Sequence, residues 1–219
     1  MSKARISLIG DSISIHYGPY LQSALKQTAT WVGYSDKEMQ GALADLDTPT
    51  HLNCGNSTRC LEIITQMLKK NEGKIDLMLL NCGQHDIKSD LVTGDKQVPL
   101  ETYKTNLQQI LKLVAQHQIP LVWVRTTPVN DAIHNSLATG FHRFEQDVQD
   151  YNKAADSIMK EAGIRTIDLW QFTRIMGSDD ELFCDHVHFE IWARQFQGAY
   201  IGGYVQAYLD NASKTSATT

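Results

Sequence analysis

A short apolar segment near the N-terminus, followed by a helix-start signal, constrains the fold more than any other part of the chain. Residues 6–14 read ISLIGDSIS. The apolar half suits a strand that is buried on both faces, and Gly10 allows a tight exit from it. Asp11 and Ser12 are residue types found where helices begin. The segment therefore predicts a strand, a turn and a helix, with Ser12 at the carboxyl end of the first strand.

The rest of the chain alternates apolar runs of strand length with amphipathic stretches of helix length. Predicted strands cover residues 6–9, 75–81, 120–126 and 164–169, with one more short strand within 30–51. Predicted helices cover residues 13–28, 58–70, 100–117, 141–162 and 189–209, with a single turn at 170–176. Residues 127–140 are expected to form a long loop that borders the site.

This order of elements predicts an α/β fold, a three-layer α/β/α sandwich around a mainly parallel sheet. Residues 1–211 are expected to form a single domain, because no composition change or repeat divides them. The Ser/Thr-rich residues 212–219 are predicted to be a disordered tail.

The composition is that of an ordinary soluble globular protein, with 42% hydrophobic and 21% charged residues. A net charge of −5 argues against a nucleic-acid partner or an anionic membrane surface, since both require a basic face. No signal peptide or membrane span is visible after the opening MSKAR, so a cytoplasmic location is expected.

The four cysteines are expected to be reduced and mostly buried thiols. Cys54, Cys60, Cys82 and Cys184 show neither a CxxC pair nor the spacing of zinc ligands. Cys54 and Cys82 each directly precede a glycine of a suspected site loop, so a redox pair between these two is the alternative. No metal and no cofactor are predicted.

A segment at the far end of the chain supplies chemical partners for Ser12. Residues 184–189 read CDHVHF. Asp185 lies three residues before His188, so its carboxylate can accept from the imidazole Nδ1–H and leave Nε2 free to take a proton from a serine. Ser12, His188 and Asp185 are therefore predicted to be nucleophile, base and orienting residue, and His186 an exposed residue without a role. The alternative is that Asp11 or Ser12 only caps the helix.

The GDS motif at Ser12 and the DHVH motif at 185–188 resemble the first and last sequence blocks of the GDSL/SGNH hydrolase family. The resemblance extends to NCGNSTR around Gly55, GQHD at 83–86 and RTTPV at 125–129. It implies the flavodoxin-like SGNH hydrolase fold and a serine esterase that works through an acyl-enzyme. It also implies an oxyanion hole made by the backbone N–H groups of Ser12 and Gly55 and by one side chain of the third block.

The third block departs from the family pattern. The family has G-x-N-D with an asparagine donor, whereas this chain has His85 at that position. A neutral histidine with the right tautomer also carries an N–H donor, so His85 is predicted to complete the oxyanion hole. Asp86 is expected to anchor the loop backbone, and Asn56 and Asn130 are predicted to contact the substrate.

The predicted substrate is a small acyl ester, above all an acetyl ester on a carbohydrate or similar alcohol. Residues 103–111 and 151–169 look similar to GDSL-type carbohydrate esterases. An acyltransferase or a thioesterase would use the same residues, and a non-catalytic module would bind an ester or a carbohydrate with the same N–H groups. A metal-dependent hydrolase is a further alternative, for which the candidate ligands are His85, Asp86, Asp185, His186 and His188. No metal-ligand motif supports it.

Overall fold

A parallel five-stranded sheet forms the centre of the protein. The computed structural model describes residues 3–46, 50–70, 73–137 and 140–216, with side chains as far as Ala212. The strands are β1 (Ala4–Ile9), β2 (Ala29–Val32), β3 (Leu77–Leu80), β4 (Leu121–Val124) and β5 (Arg165–Ile167). They pair in the order β2-β1-β3-β4-β5, and all four pairings are parallel. The predicted fold class is confirmed.

Helices cover both faces of the sheet. In chain order they are α1 (Ser12–Ala24), α2 (Asp36–Ala44), α3 (Ser57–Lys70), α4 (Leu100–Gln116), α5 (Asp131–Leu137), α6 (Glu145–Glu161), α7 (Leu169–Arg174), α8 (Asp179–Leu182) and α9 (Ile191–Ser216). Helices α1 and α9 share one apolar core with the sheet, and α3, α4 and α6 share the other. Within the described ranges, no helix combines the length and the apolar character needed to cross a membrane.

Strand β3 explains why the central strands are apolar throughout. Leu77 and Leu79 pack into the core formed with α1 and α9, while Met78 and Leu80 pack into the core formed with α3, α4 and α6. All four side chains are fully buried. A strand between two helical layers has no solvent-facing side, so its sequence shows a continuous apolar run instead of an alternation.

The structure corrects the interpretation of several segments. Residues 127–140 contain helix α5, which begins where Asn130 Oδ1 accepts from the N–H of Ile133 at 2.9 Å. Helix α2 lies in a segment predicted as loop, and a capping box between Ser35 and Glu38 fixes its start. Helix α9 continues to Ser216, so residues 212–216 of the predicted tail are helical, and 217–219 lie outside the described residues.

The expectation of four reduced thiols is also corrected, because a disulfide joins Cys54 and Cys60. Gly55 turns the chain with a φ of +65° just before α3, which brings the Cα atoms of the two cysteines to 5.0 Å. Cys82 is therefore not paired with Cys54. It is free and buried, whereas the thiol of Cys184 is free and exposed.

The loops that follow β1 and β3 and the segment before α3 bring the predicted site residues together. Asn53 forms a parallel bridge with Gly10, and the N–H of Cys54 donates to the Gly10 carbonyl at 2.8 Å. Gly83 turns the chain shortly after the end of β3, where an added Cβ would lie 2.4 Å from Oγ1 of Thr126. These loops meet where the strand order reverses, which is the crevice that binds ligands in open α/β sheets.

Candidate active site

Ser12 is the first residue of helix α1, at the carboxyl end of β1. Asp11 is the N-cap, and its Oδ1 accepts from the N–H of Ile13 at 3.0 Å. Helix capping thus falls to Asp11, which leaves the Ser12 hydroxyl available for other contacts. The N–H of Ser12 has no intrahelical acceptor because it belongs to the first turn, where the helix dipole also favours negative charge.

The three residues predicted as nucleophile, base and orienting residue form one continuous hydrogen-bonded chain. His188 Nε2 lies 2.8 Å from Oγ of Ser12, and His188 Nδ1 lies 2.7 Å from Oδ2 of Asp185. The other oxygen of Asp185 accepts the backbone N–H groups of Val187 and His188, at 2.8 and 2.7 Å. The loop of the DHVH motif therefore folds back on itself, as the three-residue spacing predicts.

The electrostatics of this chain favour an ionised Asp185. Burial alone would raise the pKa of Asp185, but hydrogen bonds from the side chain and backbone of His188 hold it well below its usual range. A carboxylate in this position keeps the proton of the imidazole on Nδ1 and leaves Nε2 as the acceptor toward Ser12. The arrangement can take a proton from the serine hydroxyl.

His16 is a contact of the site that was not recognised in the sequence. Its ring packs against the His188 ring with centroids 4.7 Å apart. Burial, together with the neighbouring charge of His188, lowers the pKa of His16 to about 3, so this ring is neutral at physiological pH. The signal was the spacing: His16 follows Ser12 by four residues on α1, which places both on one helix face.

Two of the predicted oxyanion residues, Gly55 and His85, lie next to each other. An added Cβ on Gly55 would be 3.8 Å from Nδ1 of His85. The backbone N–H of Gly55 donates to Oδ1 of Asn53 at 3.1 Å. If Gly55 contributes to an oxyanion hole, its N–H must therefore donate to both Asn53 and the oxyanion.

His85 is a neutral imidazole. Burial, followed by the positive charges of Lys88 and Arg143, lowers the pKa of His85 to about 2. A neutral imidazole has one N–H donor and one acceptor, so His85 can donate a hydrogen bond without carrying charge.

Asp86 anchors the loop, as predicted. Both of its carboxylate oxygens lie 3.0 Å from the backbone N–H of Ser57, the first residue of α3. Burial raises the pKa of Asp86 to about 7, although the hydrogen bonds from Ser57 oppose this shift. Asp86 thereby ties the loop after β3 to the start of α3.

The two asparagines predicted to bind substrate have structural contacts instead. Asn56 Oδ1 accepts from the N–H of Arg59 at 3.0 Å, within the start of α3. Asn130 caps α5 and donates from Nδ2 to Asp179 at 2.6 Å. Neither residue lines the cavity beside Ser12.

A cavity of about 290 Å³ opens beside Ser12. Among the described residues, its polar lining consists of Ser12, His85, Lys88, Arg143, His186 and His188, and its apolar lining of Leu46, Leu137, Phe141 and Val187. A larger cleft, of about 620 Å³, lies beside β2 and α3 and contains none of the predicted site residues. The smaller cavity is the one that reaches the Ser12 hydroxyl, so it is the candidate binding site.

The prediction that His186 is exposed is wrong. His186 is half-buried, and its Nδ1 lies 2.9 Å from Nδ1 of the fully buried His134. Helix α5 carries His134 and so brings a second imidazole under the DHVH loop. Helix α5 therefore borders the site, and its last residue, Leu137, lines the cavity beside Ser12.

The alternative of a metal-dependent hydrolase requires a cluster of metal ligands, which the described residues do not form. Among the residues that the structure describes, no group of three or more His, Cys, Asp or Glu side chains is arranged to hold a metal ion. The suggested ligands point to different partners: Asp86 binds the start of α3, and Asp185 binds His188.

The sequence matches the model of the GDSL-like lipase/acylhydrolase family over residues 8–190. The match extends from β1 past the DHVH loop and so includes every residue of the hydrogen-bonded chain described above. The chain belongs to the GDSL-like lipase/acylhydrolase family. This GDSL-family protein is accordingly a carboxylic ester hydrolase. No curated protein is significantly similar to it in sequence.

Solved structures of similar fold include several esterases. A lipase/acylhydrolase from Enterococcus faecalis is 14% identical, with 94% of this chain and 96% of that chain covered and a TM-score of 0.70. The acetyl xylan esterase AlAXEase is 14% identical, with 92% and 99% covered and a TM-score of 0.66. The esterase EstA from Pseudoalteromonas sp. is 14% identical, with 95% and 100% covered and a TM-score of 0.64. At these identities the likeness concerns the fold of the GDSL-family protein.

Proposed function

We propose that this GDSL-family protein is a serine esterase that hydrolyses small acyl esters, above all acetyl esters, with Ser12 as nucleophile. The observation that carries the proposal is the unbroken hydrogen-bonded chain from Asp185 through His188 to Ser12 at the wall of a cavity. A serine hydroxyl alone is a weak nucleophile, and an adjacent base with an orienting carboxylate is what activates it.

In the first half of the reaction, Ser12 Oγ attacks the ester carbonyl carbon while His188 Nε2 takes the hydroxyl proton. The carbonyl electron pair moves to the oxygen and gives a tetrahedral oxyanion. As this intermediate collapses, the bond to the alcohol oxygen breaks and His188 returns the proton to the departing alcohol. The acyl group is left as an ester on Ser12.

In the second half, a water molecule takes the place of the alcohol. His188 Nε2 removes one water proton as the oxygen attacks the acyl carbon, and the bond to Ser12 Oγ then breaks. The same proton returns to Ser12, and the carboxylic acid leaves. Asp185 stays ionised throughout and stabilises the imidazolium that forms in each half.

The oxyanion is proposed to be stabilised by the N–H groups of Ser12 and Gly55 and by the side chain of His85. The start of α1 supplies the first donor and a favourable dipole. His85 supplies an uncharged donor beside Gly55, in the position where the family has asparagine. Donors that are fixed before the reaction stabilise the developing charge without reorganisation at that moment.

Replacing His85 tests its role in this oxyanion hole. We expect His85→Ala to lower kcat for p-nitrophenyl acetate by about 100-fold or more, because one side-chain donor is lost. His85→Asn should recover most of the activity, since its amide N–H can also donate. Because His85 is already neutral, the pH dependence of kcat should keep its shape in His85→Asn. A loss of only a few-fold in His85→Ala would remove His85 from this role.

A small acyl group is supported by the size of the cavity, which at about 290 Å³ lies at the lower end for ligand sites. The similarity in fold to an acetyl xylan esterase adds support for an acetyl ester on a carbohydrate. The carbohydrate part stays within this proposal, and a panel of acetylated sugars would test it.

Acyl-chain selectivity tests the proposed substrate class. We expect kcat/KM to fall by about 10-fold or more from p-nitrophenyl acetate to p-nitrophenyl octanoate, because the cavity cannot bury the longer chain. Initial rates of p-nitrophenol release for acetate, butyrate and octanoate measure this. A preference for octanoate would contradict the small-acyl proposal and leave the serine esterase proposal intact.

A further inference from the structure

Arg143 is a buried cation in the wall of the cavity beside Ser12. The residue is only 4% exposed, and it lines the same cavity as Ser12 and His188. Its backbone is held by Asn135, whose side chain accepts from the Arg143 N–H at 2.9 Å and donates to its carbonyl at 3.0 Å. Its Nε donates to the carbonyl of Gln84 at 2.7 Å. The guanidinium is therefore fixed in place before any ligand binds.

Within the part of the chain that the structure describes, no carboxylate pairs with this guanidinium. Among the described residues, no Asp or Glu oxygen lies within 4.0 Å of the Arg143 side-chain nitrogens. Among the described residues, the side chain of Arg143 forms one hydrogen bond, from Nε to the carbonyl of Gln84. The N–H groups on both of its Nη atoms therefore lack an acceptor among these residues. A guanidinium has five N–H donors, and a buried charge without an ionic partner is costly.

A second cation, Lys88, also lines the cavity. The ammonium of Lys88 lies 4.3 Å from the centroid of the Phe141 ring, and Cζ of Arg143 lies 5.0 Å from it. Lys88, Phe141 and Arg143 all line the cavity, whereas no Asp or Glu is among its described lining residues. Two cations, with no acid among the described residues that line this cavity, favour a ligand that carries negative charge.

We propose that the ester cleaved by this protein carries an anionic group, a carboxylate or a group of similar charge, that binds to Arg143 and Lys88. The planar fork of Arg143 suits two oxygens of such a group, and Lys88 adds a point charge. The inference rests on the proposed serine esterase function and narrows its substrate class. Because the proposed acyl group is small, the anionic group is expected on the alcohol part of the ester.

A purely structural role for Arg143 would be to balance the carboxylates of Asp11 and Asp185. Among the described residues, neither carboxylate forms an ion pair with Arg143. Asp185 orients His188, and Asp11 caps α1 through Oδ1 while its Oδ2 has no hydrogen-bond partner there. Burial lowers the pKa of Arg143 to about 10, although Asp11 and Asp185 oppose the shift, so the guanidinium keeps its charge at neutral pH. An anionic group of the substrate would give the Arg143 guanidinium a direct ionic partner.

The test compares two pairs of esters that differ in one charge. For the alcohol part the pair is 4-acetoxybenzoate and its methyl ester. For the acyl part it is p-nitrophenyl hemisuccinate and p-nitrophenyl butyrate, in which a carboxylate replaces a methyl group. In at least one pair, we expect kcat/KM for the anionic ester to exceed that for the neutral ester by about 10-fold or more. The alcohol pair is the one in which we expect this difference. A ratio near one in both pairs overturns the inference.

Two variants and one control identify the residues responsible. Arg143→Lys keeps the charge without the fork, and Lys88→Met removes a charge but keeps the aliphatic chain over Phe141. We expect both variants to reduce the ratio of kcat/KM for the anionic ester to kcat/KM for the neutral ester by about 5-fold or more. If the two side chains had a merely structural role, the substitutions would lower kcat/KM for both esters equally. Lys112→Met, at an exposed lysine of α4, is the matched control and should leave the ratio unchanged.

A binding measurement separates this inference from the proposed function. Ser12→Ala keeps the cavity wall, so calorimetry with this variant measures binding without turnover. We expect 4-acetoxybenzoate to bind and its methyl ester to bind at least about 10-fold more weakly. If no ester is hydrolysed but this difference in affinity is present, the proposed function fails and the anion site stands. If neutral esters are hydrolysed but neither affinity nor rate depends on the charge, the anion site fails and the esterase stands.

Discussion

Ser12→Ala is expected to lower kcat for p-nitrophenyl acetate by about 10⁴-fold or more. Without the hydroxyl no acyl-enzyme can form, and only binding and the oxyanion donors remain to assist attack by water. The fold should be unaffected, because Asp11 and not Ser12 caps α1 and alanine favours helix. Steady-state rates and thermal unfolding of both proteins measure the two parts of this prediction.

A matched control for Ser12→Ala is Ser23→Ala, at an exposed serine of the same helix, which should retain full activity. Mass spectrometry gives a second readout, since a reactive phosphonate ester should add to the wild-type chain at Ser12 and leave Ser12→Ala unmodified. Substantial turnover by Ser12→Ala, with no contaminating esterase, would show that another group is the nucleophile.

The features that could be predicted from the sequence are those set by neighbours along the chain. The strand, the turn and the helix start around Ser12 follow from local residue types, and the loop from Asp185 to His188 follows from a three-residue spacing. These two segments meet through a long-range contact between Ser12 and His188. The alternation of strands and helices predicts this contact. Parallel strands place their carboxyl ends at one sheet edge, so residues that follow different strands converge there.

The features missed in the sequence depend on contacts between segments with no local signal. Arg143 precedes α6 in a segment predicted to be helix, and only its contacts with Gln84 and Phe141 place it in the cavity wall. His186 was misjudged because its partner His134 lies on α5, in a segment interpreted as loop. The glycine and proline punctuation of residues 127–140 obscured that short helix, whose start depends on the cap from Asn130.

Proximity in sequence does not distinguish substrate contacts from structural contacts. Asn56 follows Gly55 directly and Asn130 follows the RTTPV motif, yet both side chains satisfy backbone N–H groups at helix starts. Asparagine is among the best residues for this role, and helices begin at the carboxyl ends of strands in an α/β fold. Polar residues at this sheet edge therefore divide between capping and chemistry, and only their hydrogen-bond partners distinguish the two.

Asp185→Asn is expected to lower kcat by about 10⁴-fold at neutral pH with little change in KM for a neutral ester. The amide can still accept the backbone N–H groups of Val187 and His188 through Oδ1, so the loop should keep its shape. Its NH₂ group would face Nδ1 of His188, which then becomes an acceptor and moves the proton to Nε2. His188 in that tautomer donates to Ser12 and cannot take its proton.

The pH dependence sharpens this last prediction. Hydrogen bonds hold the pKa of Asp185 well below its usual range despite burial, and the pKa values of His16 and His85 are lowered to about 3 and about 2. None of these groups changes charge between about pH 5 and 9, so the defect in Asp185→Asn should be present throughout the weakly acidic and neutral range. Asp180→Asn, at an exposed carboxylate of α8, is the control and should match the wild type. A loss of less than about 10-fold in Asp185→Asn would mean that packing against His16, and not the carboxylate, is enough to orient His188.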